Sequence, residues 1–254
     1  MHNWLTPDWP APSNIKAVTT TKIGGVSKGA FDSMNLADHV EDDPQAVQAN
    51  RAMLKEQLRL PGDPCWPTQV HGTDVVSAME AKTGAGVGPG IGTEADGVYS
   101  LQSGEVCAVL TADCLPVLIC DKAGTRIAAV HAGWRGLLAG VMEAALEKLE
   151  IPGSETLVWL GPAIGPNAFE VGEEVRNQFI GRDPLTKAAF QQSSADRWWL
   201  DIVRLASIRL SIKGVNQVYG GDWCTFTDRE RFYSYRRDGV TGRMASLIWI
   251  DSQI

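Results

Sequence analysis

Apolar positions recur with two different periods along this chain, and the switches between them mark its elements. Residues 15–23, IKAVTTTKI, are rich in β-branched side chains and run into Gly24-Gly25, which predicts a strand closed by a turn. Asp43-Pro44 then opens QAVQANRAMLKEQL, where Ala46, Val47, Met53, Leu54 and Leu58 share one helical face before Pro61-Gly62 ends the segment. Residues 81–95 combine Gly and Thr with no apolar period, the pattern of a surface loop.

From Glu105 the pattern changes. EVCAVLTADCLPVLICD and RIAAVH read as three short, nearly continuous apolar strands, which places them centrally in a sheet. Gly133 to Gly136 interrupts them, and LLAGVMEAALEKLE predicts an amphipathic helix. TLVWL is a further strand ending at Gly161-Pro162, and WLDIVRLASIRLSI a second helix stopped by Gly214. NQVY, RFYSY and ASLIWI predict late strands. There is no internal repeat, low-complexity tract or Pro/Ser linker, and strict βαβ alternation is absent. The pattern favours one α+β domain over residues 1–254, with a large mixed sheet, over a doubly wound sheet.

Composition narrows the function. With 44% hydrophobic and 21% charged residues the chain is an ordinary folded one, and its net charge of -7 without a long basic run argues against nucleic acid as a partner. Met1 to Pro7 lacks a basic segment followed by an apolar one, so no signal peptide is expected. The apolar stretches are strand-length, short of the roughly 20 residues of a membrane helix. A cytoplasmic location is expected. The cysteines at 65, 107, 114, 120 and 224 are odd in number and form no CxxC pair, which favours free thiols or metal ligands over disulfides.

Candidate chemistry gathers on His71 in QVHG, His131 in VHAGWRG and Cys114 in TADCLP, each following or joining predicted strands. Imidazole nitrogen and thiolate sulfur suit zinc, and three protein ligands leave a position open. No local metal motif such as HExxH is present, so spacing leaves open the blander reading of satisfied core histidines and a buried thiol. Cys107 and Cys120 fall in apolar strands and read as packing residues, while Cys65 and Cys224 receive no role. Arg135, between glycines beside His131, is the best anion-binding candidate, and Trp134 the tryptophan placed to stack on a planar substrate. Arg236-Arg237-Asp238 reads as a strand-end salt bridge ahead of an anion site.

The segments TKIGGVS, NLADHV, QAVQANR, TQVHGTD, EADGVYS, TADCLPVLICD, AAVHAGWRG, LGPAIGP, FEVGEEV and SYRRDGVTGRMAS resemble, in this order and over about residues 17–250, the YfiH-type family, also called the laccase-domain or PgeF family. The resemblance implies a four-layer α/β/β/α arrangement with mixed sheets. It implies one zinc per chain on His71, Cys114 and His131, with Arg135 near that centre; copper(II) is the expected substitute, because it outcompetes zinc for such ligands. It further implies a purine nucleoside phosphorylase acting on adenosine, inosine, guanosine and methylthioadenosine, with adenosine deaminase activity. Purine nucleosides and phosphate are then its partners. A peptidoglycan-editing hydrolase that removes misincorporated L-Ser from a UDP-MurNAc precursor is the alternative, as is a metal-free Cys–His hydrolase built on Cys114 and His131. Laccase chemistry is excluded by counting, since four coppers need about ten histidines and the chain has 4.

Phosphorolysis would have phosphate attack the ribose C1′ while Arg135 screens its charge; deamination would have an activated water attack C6 of adenine. Either route requires a general acid or base. Asp113, beside Cys114, is the candidate, with Glu170 and Glu173 as alternatives. The sequence leaves the oligomeric state open.

Overall fold

The computed structural model describes residues 4–83 and 93–251. Its strands are β1 (Trp4–Leu5), β2 (Ile15–Thr20), β3 (Pro64–Cys65), β4 (Val75–Ser77), β5 (Gly97–Ser100), β6 (Val106–Thr111), β7 (Leu115–Asp121), β8 (Ile127–Ala132), β9 (Thr156–Leu160), β10 (Glu170–Gly172), β11 (Phe190–Ser194), β12 (Arg197–Leu200), β13 (Gln217–Gly220) and β14 (Met244–Ile250). The helices are α1 (Pro44–Leu58), α2 (Ala78–Thr83), α3 (Trp134–Ala139), α4 (Val141–Leu149), α5 (Glu173–Arg182), α6 (Ile202–Ile212) and α7 (Tyr235–Asp238).

Two mixed sheets carry the fold. One has the order β1-β2-β14-β6-β3, the other β13-β9-β7-β8-β5-β4, and β10-β12-β11 form a small antiparallel sheet beside them. Because side chains alternate along a strand, each large sheet presents two apolar faces. Cys107, Val109 and Ile248 of the first sheet meet Leu118, Ala129 and Leu157 of the second, so the sheets pack face to face. On the outer face of the first sheet, Ala108, Leu110 and Leu247 pack with Leu54 of α1. On the outer face of the second, Val117, Ile119 and Val130 pack with Leu137, Met142, Ala145 and Leu205 from α3, α4 and α6. The order is helix, sheet, sheet, helix: the expected α+β four-layer arrangement with mixed sheets. Burial on both faces explains why β6, β7 and β8 are apolar without alternation.

Local signals hold in most elements. The side chain of Asp43 accepts from Gln45 N at 2.9 Å and caps α1, with Pro44 in its first turn. The expected helix from Leu137 is instead two, because Gly140 (φ 113°) ends α3 and begins α4. The expected helix from Trp199 starts only at Ile202, since Trp199 and Leu200 finish β12 and Asp201 caps α6.

Two expectations are corrected. RFYSY is no strand. Phe232 and Tyr233 are buried in a loop, the Tyr233 hydroxyl donates to Phe31 O at 2.6 Å, and Ser234 caps α7 through Arg237 N. The loop expected at 81–95 is helical to Thr83 and ties back at Thr68, whose N–H donates to Thr93 O at 2.9 Å; its residues 84–92 lie outside the described residues.

Candidate metal centre and cleft

The chain passes from one large sheet to the other between Thr111, the end of β6, and Leu115, the start of β7. Cys114 lies on that crossover. Leu115 pairs with Ala132, so register alone sets Cys114 beside the end of β8, where His131 sits. The crossover is pinned by Asp113. Its carboxylate accepts from Thr225 Oγ1 (2.6 Å), Ser234 Oγ (3.0 Å) and Arg236 N (2.6 Å). Those bonds hold a non-glycine residue at φ 93°, a region L side chains rarely adopt. Asp113, expected as an acid or base, is thereby engaged on both oxygens as an acceptor and holds the loop that carries Cys114.

His71 reaches the same place from a different segment. It too has positive φ, 60°, and its loop is gathered on the buried carboxylate of Asp96. Gly72 N and Val70 N donate to Oδ2 at 2.6 and 3.2 Å, and His71 N donates to Oδ1 at 3.0 Å. Asp96 Oδ1 also lies 2.7 Å from His131 Nδ1, and the His131 N–H donates to Asp96 O at 2.7 Å. One carboxylate therefore orients both histidines. Burial pushes its pKa up, but the hydrogen bond and charge of His131 and the loop amides outweigh that and hold it below the usual carboxylate range. As the acceptor it keeps the proton on His131 Nδ1, which leaves Nε2 as the ring's free donor atom.

The donor atoms of His71, Cys114 and His131 lie within 4.8 Å of one another, and the two imidazoles meet edge to face at 4.8 Å. The residue facing them has no room for a side chain: a Cβ on Gly133 would sit 2.6 Å from His71 Nδ1 and 3.2 Å from Cys114 Sγ. Two nitrogens and a sulfur converging on a glycine, with a carboxylate behind one imidazole, fit a divalent ion. Burial disfavours a charged His131, but the Cys114 sulfur and the Asp96 carboxylate outweigh it and raise its pKa to about 9. His71 is lowered, by burial first and then by the charge of His131. This is the one group of its kind among the described residues, too few donors for a set of coppers.

Above the trio opens a cleft of about 560 Å³. Arg135 and Trp134, both anticipated, line it, the Arg135 guanidinium lying 4.4 Å from the Trp134 ring centre, so part of the stacking surface expected of Trp134 is already covered. Arg243 and Arg236 also line the cleft. Arg243 donates through Nη1 to Thr241 O (2.7 Å) and Gly242 O (3.0 Å), which fixes its head. Burial lowers its pKa, while the nearby charges of Cys114 and Asp113 push it up. The Arg236-Arg237-Asp238 cluster divides: Arg237 pairs with Asp238 at 2.7 Å and braces the carbonyls of Thr225, Phe226 and Phe232, whereas Arg236 faces the cleft. Glu170 and Glu173 are not among the cleft residues; Glu170 accepts from Ser193 Oγ at 2.5 Å, and Glu173 is exposed in the first turn of α5. Cys107 and Cys120 are buried packing residues, as expected, burial pushing the Cys120 thiol up to about 12. Asp96 and Arg243 had no separate mark in the sequence beyond their places in EADGVYS and VTGRMAS.

A family model described as "Multi-copper polyphenol oxidoreductase laccase" matches residues 16–251. A Pseudomonas aeruginosa protein named a purine nucleoside phosphorylase is 53% identical over 98% of this chain and 99% of its own. The Escherichia coli K12 protein named purine nucleoside phosphorylase YfiH is 50% identical over 98% of this chain and 100% of its own. Among solved structures, a Neisseria meningitidis protein superposes with a TM-score of 0.93 at 47% identity, over 99% of this chain and 100% of its own. YlmD from Geobacillus stearothermophilus does so with 0.91 at 30% identity, over 99% and 97%. Sequence and fold agree over nearly the whole chain: it belongs to the YfiH family, the laccase-domain proteins that this family model describes.

Proposed function

We propose that this chain is a purine nucleoside phosphorylase whose reaction takes place in the cleft over His71, Cys114 and His131. The observation that carries the reading is the convergence of that donor trio with Arg135 and Arg243 on one cleft of about 560 Å³, a volume suited to a nucleoside with phosphate. The relatives named purine nucleoside phosphorylase support it. In this reading Arg243 and Arg135 bind phosphate, since guanidinium groups match its geometry and charge. Trp134, Phe169 and Tyr235 give the purine an apolar border. Zinc, with copper as a substitute, is the proposed ion, and in the cleft it would supply Lewis acidity for the anion in phosphorolysis and for water in adenosine deamination. Adenosine, inosine, guanosine and methylthioadenosine are the proposed substrates.

The test is product analysis. Inosine with phosphate is expected to give hypoxanthine and ribose 1-phosphate, and Cys114→Ala is expected to abolish this while the circular dichroism spectrum is kept. No phosphate-dependent product from any of the four nucleosides would overturn the reading.

A second reading rests on a different observation. Asp96, His131 and Cys114 are aligned as acid, imidazole and thiol, the order of a thiol hydrolase. That chemistry would serve the hydrolysis of a cell-wall precursor and needs no metal. Full activity on the precursor after thorough chelation would favour it over phosphorolysis.

A further inference from the structure

We propose that His39 is the catalytic acid that protonates the purine as it leaves. The inference rests on the phosphorolysis reading above. Breaking the C1′–N9 bond leaves an electron pair on the purine, and a proton delivered to N7 stabilises that leaving group.

Few groups in the cleft can deliver it. Of the described carboxyl, imidazole, thiol and phenol side chains that line it, His71, Cys114 and His131 are the proposed ion's ligands. Asp113 is an acceptor of three hydrogen bonds. His39 and Tyr235 remain. Imidazole is the chemical class that titrates nearest neutrality, where a general acid works best.

The segment that carries His39 is built as a fixed wall. Asn35, fully buried, donates to Ala37 O (3.1 Å) and Asp42 Oδ2 (2.8 Å) and accepts from Ala37 N (3.1 Å) and Arg243 N (2.9 Å). Asn50 of α1, also buried, donates to Asn35 O at 2.8 Å and Ser27 Oγ at 2.9 Å, and Ser27 Oγ donates to Asp42 Oδ2 at 2.7 Å. Arg51 holds Leu36 O through Nε (2.9 Å) and Asp38 Oδ2 through Nη1 (3.2 Å). The segment is thus locked to α1 on one side and to the backbone of Arg243, itself a cleft residue, on the other. Against this buried framework the His39 side chain stays 54% exposed at the cleft, with Asp38 Oδ1 3.8 Å from its Nδ1.

The step balances. A phosphate oxygen bonds to C1′, the C1′–N9 bond breaks with its pair going to the purine, and the His39 imidazolium gives its proton to N7. The proton that hydrogenphosphate loses returns through solvent to His39, leaving ribose 1-phosphate and the free purine.

The experiment compares inosine with 7-methylinosine, whose purine carries its positive charge at N7 already and departs without taking a proton. With the metal-loaded, full-length protein, His39→Gln is expected to lower kcat on inosine by about 100-fold, within the range of general acid catalysis. On 7-methylinosine the change is expected to stay below about 3-fold, because no proton is needed there. Equal losses on both substrates, or none on inosine, would overturn the proposal. A loss confined to inosine in Tyr235→Phe with His39→Gln unaffected would assign the acid to Tyr235 and overturn it as well. A wild type that converts neither substrate refutes phosphorolysis itself, an outcome separate from an active wild type indifferent to His39. Since His39 is exposed, the variant is expected to fold, with a melting temperature equal to that of the wild type.

Discussion

Asp96 Oδ1 lies 2.7 Å from His131 Nδ1 while the other oxygen of the same carboxylate takes the Gly72 amide at 2.6 Å. Two of the three candidate donors therefore hang from one buried side chain. Asp96→Asn keeps the volume but replaces one acceptor oxygen by an NH₂ that must face an N–H donor. Either the 70–72 loop or the His131 ring has to turn. The expected result is a loss of about 10- to 100-fold in zinc affinity, the usual effect of removing a ligand's orienting partner, read by competition with a chromogenic chelator. Unchanged affinity would mean that the trio does not depend on this carboxylate.

Gly133 is the second point at which geometry leaves no freedom. The Cβ of Gly133→Ala would press on His71 Nδ1 at 2.6 Å and on Cys114 Sγ at 3.2 Å. Its φ is ordinary, so the strain falls on the two donor side chains and not on the backbone. The variant is expected to fold, with a melting temperature near that of the wild type, and to bind less than one zinc per chain after metal loading. Full zinc content by elemental analysis would count against a shared ion.

Much of this was legible in the sequence, for reasons that differ by element. Helix α1 announced itself through its cap, Asp43-Pro44, a local signal that tertiary packing did not override. Strands β6 to β8 announced themselves because burial on both faces requires unbroken apolar runs. The small sheet β10-β12-β11 did not: QQSS in β11 lies on a partly exposed strand with polar residues on both faces. RFYSY misled because Phe232 and Tyr233 are buried in a loop, Tyr233 by contacts with Phe31 O and the Met244 sulfur that no local pattern reveals. At the site, the residue types of His71, Cys114 and His131 suggested their chemistry, but their meeting depends on the Leu115–Ala132 register and on Asp96. An aspartate before a glycine has no periodicity to mark it, and Arg243 reaches the cleft only because β14 pairs with β6.

Arg243 and Arg135 differ in how their charges are held, which separates their expected effects. Arg243 is half-buried with its head fixed on two carbonyls, whereas Arg135 is exposed and rests on Trp134. A preorganised, partly desolvated charge binds an anion better than a solvated one. Arg243→Gln is expected to raise the KM for phosphate by roughly 10- to 100-fold, as loss of a charged hydrogen bond of about 1.5–3 kcal/mol implies. Arg135→Gln should raise it by only a few-fold, the scale of an exposed charge. Steady-state kinetics with phosphate varied at saturating inosine gives both values; a larger effect at Arg135 would reverse the assignment.

Away from the cleft, Glu143 of α4 and Arg209 of α6 form a nearly buried ion pair, with Oε1 accepting from Nε at 2.8 Å and from Nη2 at 2.5 Å. Arg209 also donates to Leu138 O at 3.2 Å, where Arg182 donates too, so the pair braces the end of α3 at the Gly140 break. α3 begins at Trp134, which connects this brace to the cleft. Removing one partner leaves an uncompensated buried charge, whereas replacing both by apolar residues of similar size does not. Glu143→Ala is therefore expected to reduce the unfolding free energy by about 3–5 kcal/mol, measured from urea midpoints at constant slope. The double variant Glu143→Leu, Arg209→Met should recover most of that loss. If the double variant is as unstable as Glu143→Ala, the pair's value lies in its hydrogen bonds to the α3 terminus, and the uncompensated charge is not the cause.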